Sequence, residues 1–385
     1  MKRILFVDDE PRILEGLRRL LRNERNHWDM RFALGAEQAL AMMEETEIDV
    51  VVTDMQMPGM DGAELLQRVY ERYPGVIRIV LSGQFDTKMG IRAAPVAHQF
   101  LIKPCDPRIL KCAIERSTGT PAFSDEAVKK VVNSIGSLPS APKTCTRLIE
   151  LLNDPEVSLD TISRLITEDV ALSAKVLQLV NSAFFSLPSE TSSIKAAVSL
   201  LGLNLIRDLV TSAAILREFE RVSPVQHFSF DIFDRHSRET AEIASKLPAQ
   251  PEITNFRMMA SMLHDVGKLV LCTQLPKRFE EACILCATEN ISSTAAETQV
   301  FGVGHAEIGA CLLNLWGLPK VTVDAIAAHH RPPTPSVGDE RLALDEIVYL
   351  ANEAAHRRPK DDLDHIISLP VSEQVTFWRS RIPSE

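Results

Sequence analysis

Hydrophobic and polar positions follow two different rhythms along this chain of 385 residues. Over the first 116 residues, short strand-like runs alternate with amphipathic helical patterns. The strand-like runs are residues 3–8, 30–34, 49–54, 78–82 and 99–103, and the helical patterns lie near 11–23, 36–46, 61–73, 86–94 and 107–116. Runs such as Val50-Val51-Val52 are apolar without alternation, as in strands covered on both faces. Five strand–helix units of this kind predict an α/β fold: a doubly wound, five-stranded parallel sheet. In such sheets ligands sit at the carboxyl ends of the strands.

The second rhythm begins after a small, polar, turn-rich stretch at 117–124. The strand signal stops, and apolar positions recur with helical spacing to about residue 330, for example over 145–152, 172–180, 200–216 and 258–271. A Pro-rich break at 331–339 precedes another helical pattern at 341–356. The expected organisation is an N-terminal α/β domain over 1–117, a linker at 118–125, an all-α helical bundle over 126–332 and a helical extension over 333–385.

Composition narrows the function classes. Hydrophobic residues make up 45% and charged residues 24%, the balance of a globular protein. No apolar run reaches the roughly 18 residues that a membrane helix needs. The opening residues, with the acidic cluster at 8–10, lack the build of a secretory leader, so a cytoplasmic protein without membrane contact is expected. Residues 1–120 carry 17 basic and 18 acidic side chains, and residues 121–385 carry 25 and 34. The acidic second part would be repelled by phosphate backbones, which disfavours nucleic acid as a partner. The seven cysteines lack framework spacing and read as reduced, mostly buried thiols. The pair Cys283 and Cys286 reads as packing on one helix face rather than as a metal site.

Two groups of residues carry chemistry. In the first, Asp8 and Asp9 end the first strand, Asp54 the third, Ser82 the fourth and Lys103 the fifth. A parallel sheet brings all five to one edge. Three carboxylates there suit Mg²⁺, a hard cation that binds carboxylate and phosphate oxygens. Asp54 could then attack phosphorus to form an acyl phosphate, with Lys103 and Ser82 holding phosphoryl oxygens. The second group is His236, His264-Asp265, His305 and His329-His330. These donors suit iron, manganese or zinc. Lys268, four residues after His264, is expected on the same helical face, and Lys268 and Arg331 are candidate phosphate-binding cations. His27, His98, His227, His356 and His365 read as ordinary core or surface histidines.

The first group resembles the receiver domain of two-component response regulators. The match rests on Val7-Asp8-Asp9-Glu10, the run from Val51 to Gly62 around Asp54-Met55-Gln56-Met57-Pro58-Gly59, Leu81-Ser82-Gly83 and Lys103-Pro104. The resemblance implies that Asp54 takes a phosphoryl group from a histidine kinase or phosphotransfer protein. It implies Mg²⁺ on Asp9, Asp54 and the Gln56 carbonyl, with Asp8 assisting through water. Ser82 and Phe100 become the switch pair, and a homodimer through this domain becomes a candidate assembly.

The second part is similar to the HDOD family of HD-related output domains. The carriers are the motifs at 137–142, 168–172, 179–185 and 196–203, then Leu263-His264-Asp265-Val266-Gly267-Lys268-Leu269, Val303-Gly304-His305, Trp316-Gly317-Leu318-Pro319 and His329-His330. The resemblance implies a helical bundle that signals by binding a downstream protein. Two alternatives stand beside that reading: an active HD-type metal phosphohydrolase or cyclic-dinucleotide phosphodiesterase, and a nucleotide-sensing module without turnover. Three departures bear on the hydrolase. The closing Asp is replaced by Asn352, Ile232 stands where such phosphodiesterases place a Glu, and Arg331-Pro332-Pro333 replaces their Gly-Tyr-Pro segment.

Overall fold

The protein is described from a computed structural model, which covers residues 1–83, 93, 96–118, 132, 147–148, 151–152, 157–181, 191, 193–215, 225–254, 256–334, 341–357 and 370–382. Most of the helical pattern at 86–94, most of the linker, the motif at 137–142, parts of 145–152 and 179–185, and His365 lie outside the described residues.

The N-terminal domain holds β1 (Lys2–Asp8), α1 (Pro11–Leu20), β2 (Trp28–Leu34), α2 (Ala36–Glu45), β3 (Val50–Thr53), α3 (Gly62–Arg72), β4 (Ile77–Ser82), β5 (Gln99–Ile102) and α4 (Pro107–Thr118). All five strands are parallel, in the order β2-β1-β3-β4-β5. The unalternating apolar runs occupy the middle of the sheet: Ile4–Val7, Val50–Val52 and Ile79–Leu81 are all buried. The α3 helix starts where the Asp61 carboxylate accepts the Glu64 N–H at 2.8 Å, an N-cap that satisfies one orphan donor. Gly62 is required there, because a Cβ would lie 2.0 Å from the Asp54 carbonyl oxygen. That close approach folds the β3–α3 loop over the carboxyl end of β3.

The helical part holds α5 (Leu159–Thr167), α6 (Val170–Asn181), α7 (Ile194–Ile215), α8 (Phe230–Lys246), α9 (Arg257–Leu263), α10 (Val266–Gln274), α11 (Pro276–Glu289), α12 (Ser293–Phe301), α13 (His305–Leu315), α14 (Lys320–Ala328), α15 (Leu344–Arg357) and α16 (Val371–Arg379). Ser158, Ser229 and Ser292 cap α5, α8 and α12 by accepting a backbone N–H. The continuous helix expected over 258–271 is two helices. The chain turns at His264-Asp265, so Lys268 is not on the helix of His264. The pattern at 200–216 belongs to α7, which is interrupted at Gly202 with φ +75°.

The α15 helix packs against α8, α9 and α14, so the segment after the Pro-rich break supplies a wall of the bundle. A bidentate pair from Arg379 to the buried Glu346, at 2.8 and 3.2 Å, clasps α16 to α15. No helix among the described residues is long and apolar enough to cross a membrane. The described cysteines are free thiols, but only Cys272 and Cys311 among them are buried; Cys105, Cys283 and Cys286 are half-buried and Cys112 is exposed.

Candidate functional site

The carboxyl edge of the sheet gathers the acidic group. Asp8 closes β1 and is buried, Asp9 follows it into solvent, and Asp54 stands one residue past β3. Ligand oxygens of these three carboxylates lie within 4.8 Å of one another. Lys103, one residue past β5, donates from Nζ to Asp8 Oδ2 at 2.5 Å and lies 3.0 Å from Asp54 Oδ2. Burial works to lower the Lys103 ammonium, but the bonds and charges of Asp8 and Asp54 outweigh it and raise it above the usual lysine range. The remaining oxygens are aimed by backbone: Asp8 Oδ1 accepts from Glu10 N–H at 2.9 Å and Asp54 Oδ1 from Met55 N–H at 2.7 Å. Ser82 ends β4 and is buried, and Phe100 in β5 is buried too, in register with Val80. Gln56 is exposed in the loop after Asp54.

The histidine group is assembled from four kinds of position: mid-helix in α8 (His236), the break between α9 and α10 (His264, Asp265), the first residue of α13 (His305), and the end of α14 (His329, His330). Asp265 is the centre. Its Oδ1 lies 3.0 Å from His305 Nε2 and 3.5 Å from His329 Nε2, while Oδ2 lies 3.5 Å from His264 Nε2 and 3.9 Å from His236 Nε2. Two sets of ligand atoms result: Asp265 with His305, His329 and His330, and Asp265 with His236 and His264.

Three imidazoles are oriented from behind. His264 Nδ1–H donates to the Ser261 carbonyl at 2.6 Å, His329 Nδ1–H to the Ile326 carbonyl at 2.7 Å, and His305 Nδ1–H to Glu297 at 2.6 Å. A carbonyl only accepts, so His264 and His329 carry the proton on Nδ1 and turn the Nε2 lone pair inward. The ring nitrogens crowd together: His236 and His264 Nε2 are 3.2 Å apart, and His305 and His330 Nε2 are 2.8 Å apart, each a contact in which one ring donates and the other accepts. Asp265 Oδ1 and His329 Nε2 are buried without a hydrogen-bond partner. Burial lowers His236, His264, His329 and His330, so protons are a poor source of the missing positive charge. His305 differs: burial lowers it, but Glu297 and Asp265 raise it overall. Burial favours a neutral Asp265, but His264, Lys268 and His305 outweigh it and hold the carboxyl well below the usual range. A divalent cation fits this donor set, with outer partners of the kind that fix metal-bound histidines.

The other expected residues are placed as follows. Lys268 Nζ donates to Asp265 Oδ2 at 2.7 Å, three residues back. Arg331 is turned to the surface and paired with Glu307 at 2.7 Å. Asn352 on α15 does reach the site, with Oδ1 3.0 Å from His236 Nε2. Ile232, one turn before His236, is 58% exposed. His356 is exposed, as expected, and stacks on His236 at 4.5 Å, on the face of α15 that carries Asn352. His98 is a fully buried core residue, with its ring nitrogens against Arg78.

Glu297 was not legible beforehand. It lies on α12, is 2% exposed, and accepts both the backbone N–H (2.7 Å) and the Nδ1–H of His305 through one oxygen. Glu297→Gln is expected to destabilise the protein by about 1–3 kcal/mol, since a buried charge-assisted bond is weakened. A thermal melt superposing on the wild type would contradict that role.

Comparisons with known proteins match both parts. A family model of the HDOD domain matches residues 138–332, and one of the response regulator receiver domain matches residues 4–115. An uncharacterized protein of Treponema pallidum (strain Nichols) is 26% identical over 247 residues, which cover 64% of this chain and 48% of that protein. The hydrogenase transcriptional regulatory protein HoxA of Cupriavidus necator is 36% identical over 107 residues, 27% of this chain and 21% of its own. The chain thus spans about half of the first relative and a fifth of the second. The MmoQ response regulator of Methylococcus capsulatus superposes with a TM-score of 0.50 at 23% identity, over 63% of this chain and 93% of that one. A virulence factor of Campylobacter jejuni superposes at 0.51 with 18% identity, over 68% and 98%. At such identities the two structures share the fold alone.

Proposed function

The chain belongs to the HDOD family and carries a response regulator receiver domain ahead of it, as response regulators of two-component systems do, and from that premise we propose that Asp54 is phosphorylated by a histidine kinase or phosphotransfer protein and that the receiver thereby switches an HDOD domain acting through a downstream protein. The observation that carries this reading is the Lys103 ammonium shared between Asp8 and Asp54 at the ends of separate strands, with Asp9 beside them. Mg²⁺ would be held by Asp9, Asp54 and the Gln56 carbonyl, with Asp8 assisting through water, and when bound it neutralises phosphoryl charge. The Asp54 carboxylate attacks phosphorus, and the bond from phosphorus to the donor's imidazole nitrogen breaks. Lys103 exchanges its contact with Asp54 for one with a phosphoryl oxygen. The Ser82 hydroxyl donates to another, which draws on the Ser82–Phe100 pair.

Acetyl phosphate with Mg²⁺ is expected to label the wild type. Chelation of the magnesium and Asp54→Asn should each abolish the label. Labelling that survives in Asp54→Ala would overturn the assignment.

The cluster of histidine nitrogens around Asp265 supports a second reading, a metal-dependent phosphohydrolase acting on a nucleotide or cyclic dinucleotide. Iron, manganese or zinc would sit between Asp265 and the histidines and supply Lewis acidity. Lys268 lies within reach of a phosphate there. Asn352 in place of a carboxylate favours the switch over the hydrolase, because it removes negative charge from the donor set. Hydrolysis of such substrates by the wild type, lost in His264→Ala/Asp265→Ala, would reverse that order.

A further inference from the structure

Strand β2 stands at the outside of the sheet, at the opposite end of the strand order from β5. It pairs with β1 along its whole length, and among the described residues no strand pairs with its outer edge. Such an edge leaves backbone N–H and C=O groups open to another chain. Side chains alternate across a strand, so Trp28, Met30, Phe32 and Leu34 share one face and Asp29 and Arg31 the other. Leu34 is 53% exposed, and Met30 and Phe32 are half-buried, so the apolar face is incompletely covered.

Beside β2 and α1 lies a cavity of about 620 Å³, lined by Trp28, Met30, Phe32, Arg3, Arg18 and Arg25. Its charges do not balance. Arg3 is held by Glu47 at 3.0 Å and Asp49 at 3.4 Å. Asp29, which also borders the cavity, is paired with Arg31 at 3.4 Å. Arg18 and Arg25 are exposed and have no acidic partner among the described residues. Arg18 instead lies over the Phe32 ring, its Cζ 4.6 Å from the centroid, and that ring stacks on Phe6 at 5.4 Å. Two uncompensated cations therefore stand beside an apolar floor and an unpaired backbone edge.

We propose that the outer edge of β2 is a docking site for an acidic, extended segment of a partner protein, which extends the sheet by one strand. Main-chain bonds to β2 supply the affinity, and alternate side chains of the added strand supply the specificity. Apolar side chains of the segment cover Met30 and Phe32, and carboxylates beside them meet Arg18 and Arg25. A second copy of this chain fits poorly, because pairing two such edges brings the uncompensated arginines of both copies together. A free nucleotide would leave the backbone edge uncovered. The Asp54 pocket lies past β3 at the carboxyl end of the sheet, so the proposal stands apart from the reading of Asp54.

Fluorescence anisotropy of the full chain with a fluorescein-labelled peptide of alternating glutamate and valine, as long as β2, tests this. The peptide should bind, and its counterpart with lysine in place of glutamate should bind at least about tenfold more weakly. A central proline removes an N–H from the added strand and should weaken binding about tenfold. Arg18→Glu/Arg25→Glu should lose at least about tenfold in affinity with an unchanged melt, since both side chains are exposed. Arg18→Lys/Arg25→Lys keeps both charges and should retain most of the binding. Bound peptide should slow hydrogen exchange over residues 28–34. Failure of the glutamate peptide to bind, equal binding of the lysine peptide, or undiminished binding by the charge-reversed variant overturns the proposal. Equal binding of the proline peptide shows capture by side chains without strand addition and also overturns it. Protection of 28–34 that rises with protein concentration in the absence of peptide assigns the edge to a second copy, with the same consequence.

Discussion

Protein purified without chelator is expected to hold iron, manganese or zinc at close to stoichiometric amounts, and His264→Ala/Asp265→Ala to hold almost none. The donor set fits a cation. Asp265 is fully inside the bundle with its two oxygens facing four imidazoles. Two of those rings have their protons fixed on the far nitrogen by carbonyl acceptors. Burying a carboxylate beside two inward-facing imidazole lone pairs is costly unless positive charge sits among them. Lys268 supplies one charge, to a single oxygen of Asp265. Removing His264 and Asp265 takes a ligand from one set and the shared ligand from both. Loss of a supporting partner alone costs roughly 10–100-fold in affinity, so loss of two ligands should leave no measurable metal. Elemental analysis reads the result directly. A metal-free wild type whose melting temperature is indifferent to chelator would contradict it.

Gly267→Ala is expected to be the most damaging single substitution in the helical domain. Gly267 begins the packing of α10 on α13. A Cβ there would lie 2.0 Å from the His305 carbonyl oxygen and 2.8 Å from the Gly309 nitrogen. All of these are backbone atoms, so no side chain can move aside. The helices must separate, and His305 must shift with them. Overpacking of this severity costs about 3 kcal/mol. For a domain of this size that lowers the melting temperature by roughly 6–12 °C. The same variant should lose metal, because α10 begins beside Asp265 and α13 begins with His305. A melt and a metal content equal to those of the wild type would show that the close approach of the two helices is not real.

The pocket at Asp54 was legible because its determinants are local. Each strand is a short apolar run, each functional side chain sits at or just past a strand end, and parallel topology aligns those ends. Nothing about Asp8, Ser82 or Lys103 depends on an unforeseen packing. The histidine residues were legible as a set, but not their arrangement. The apolar run from Met258 to Leu271 gives no sign of a break at His264-Asp265, since no Pro or Gly precedes Gly267. The turn there places Asp265 among four imidazoles, which is a tertiary requirement rather than a propensity. Glu297 had no signal at all. It sits in a helix of small and polar residues, and only the turn at Gly302–Gly304 brings it back to His305. The stacking of exposed His356 on His236 had no signal either, because its spacing from Asn352 matters only once α15 is known to pack on α8.

Every step from pocket to helical domain presumes that one carboxylate carries the phosphoryl group. The direct measurement is to trap the acyl phosphate by borohydride reduction after treatment with acetyl phosphate and Mg²⁺, and to locate the reduced residue by peptide mass spectrometry. Homoserine at position 54, and nowhere else, is the expected result. Reduction at another carboxylate, or a phosphoryl group found on a histidine of the bundle, would contradict the account.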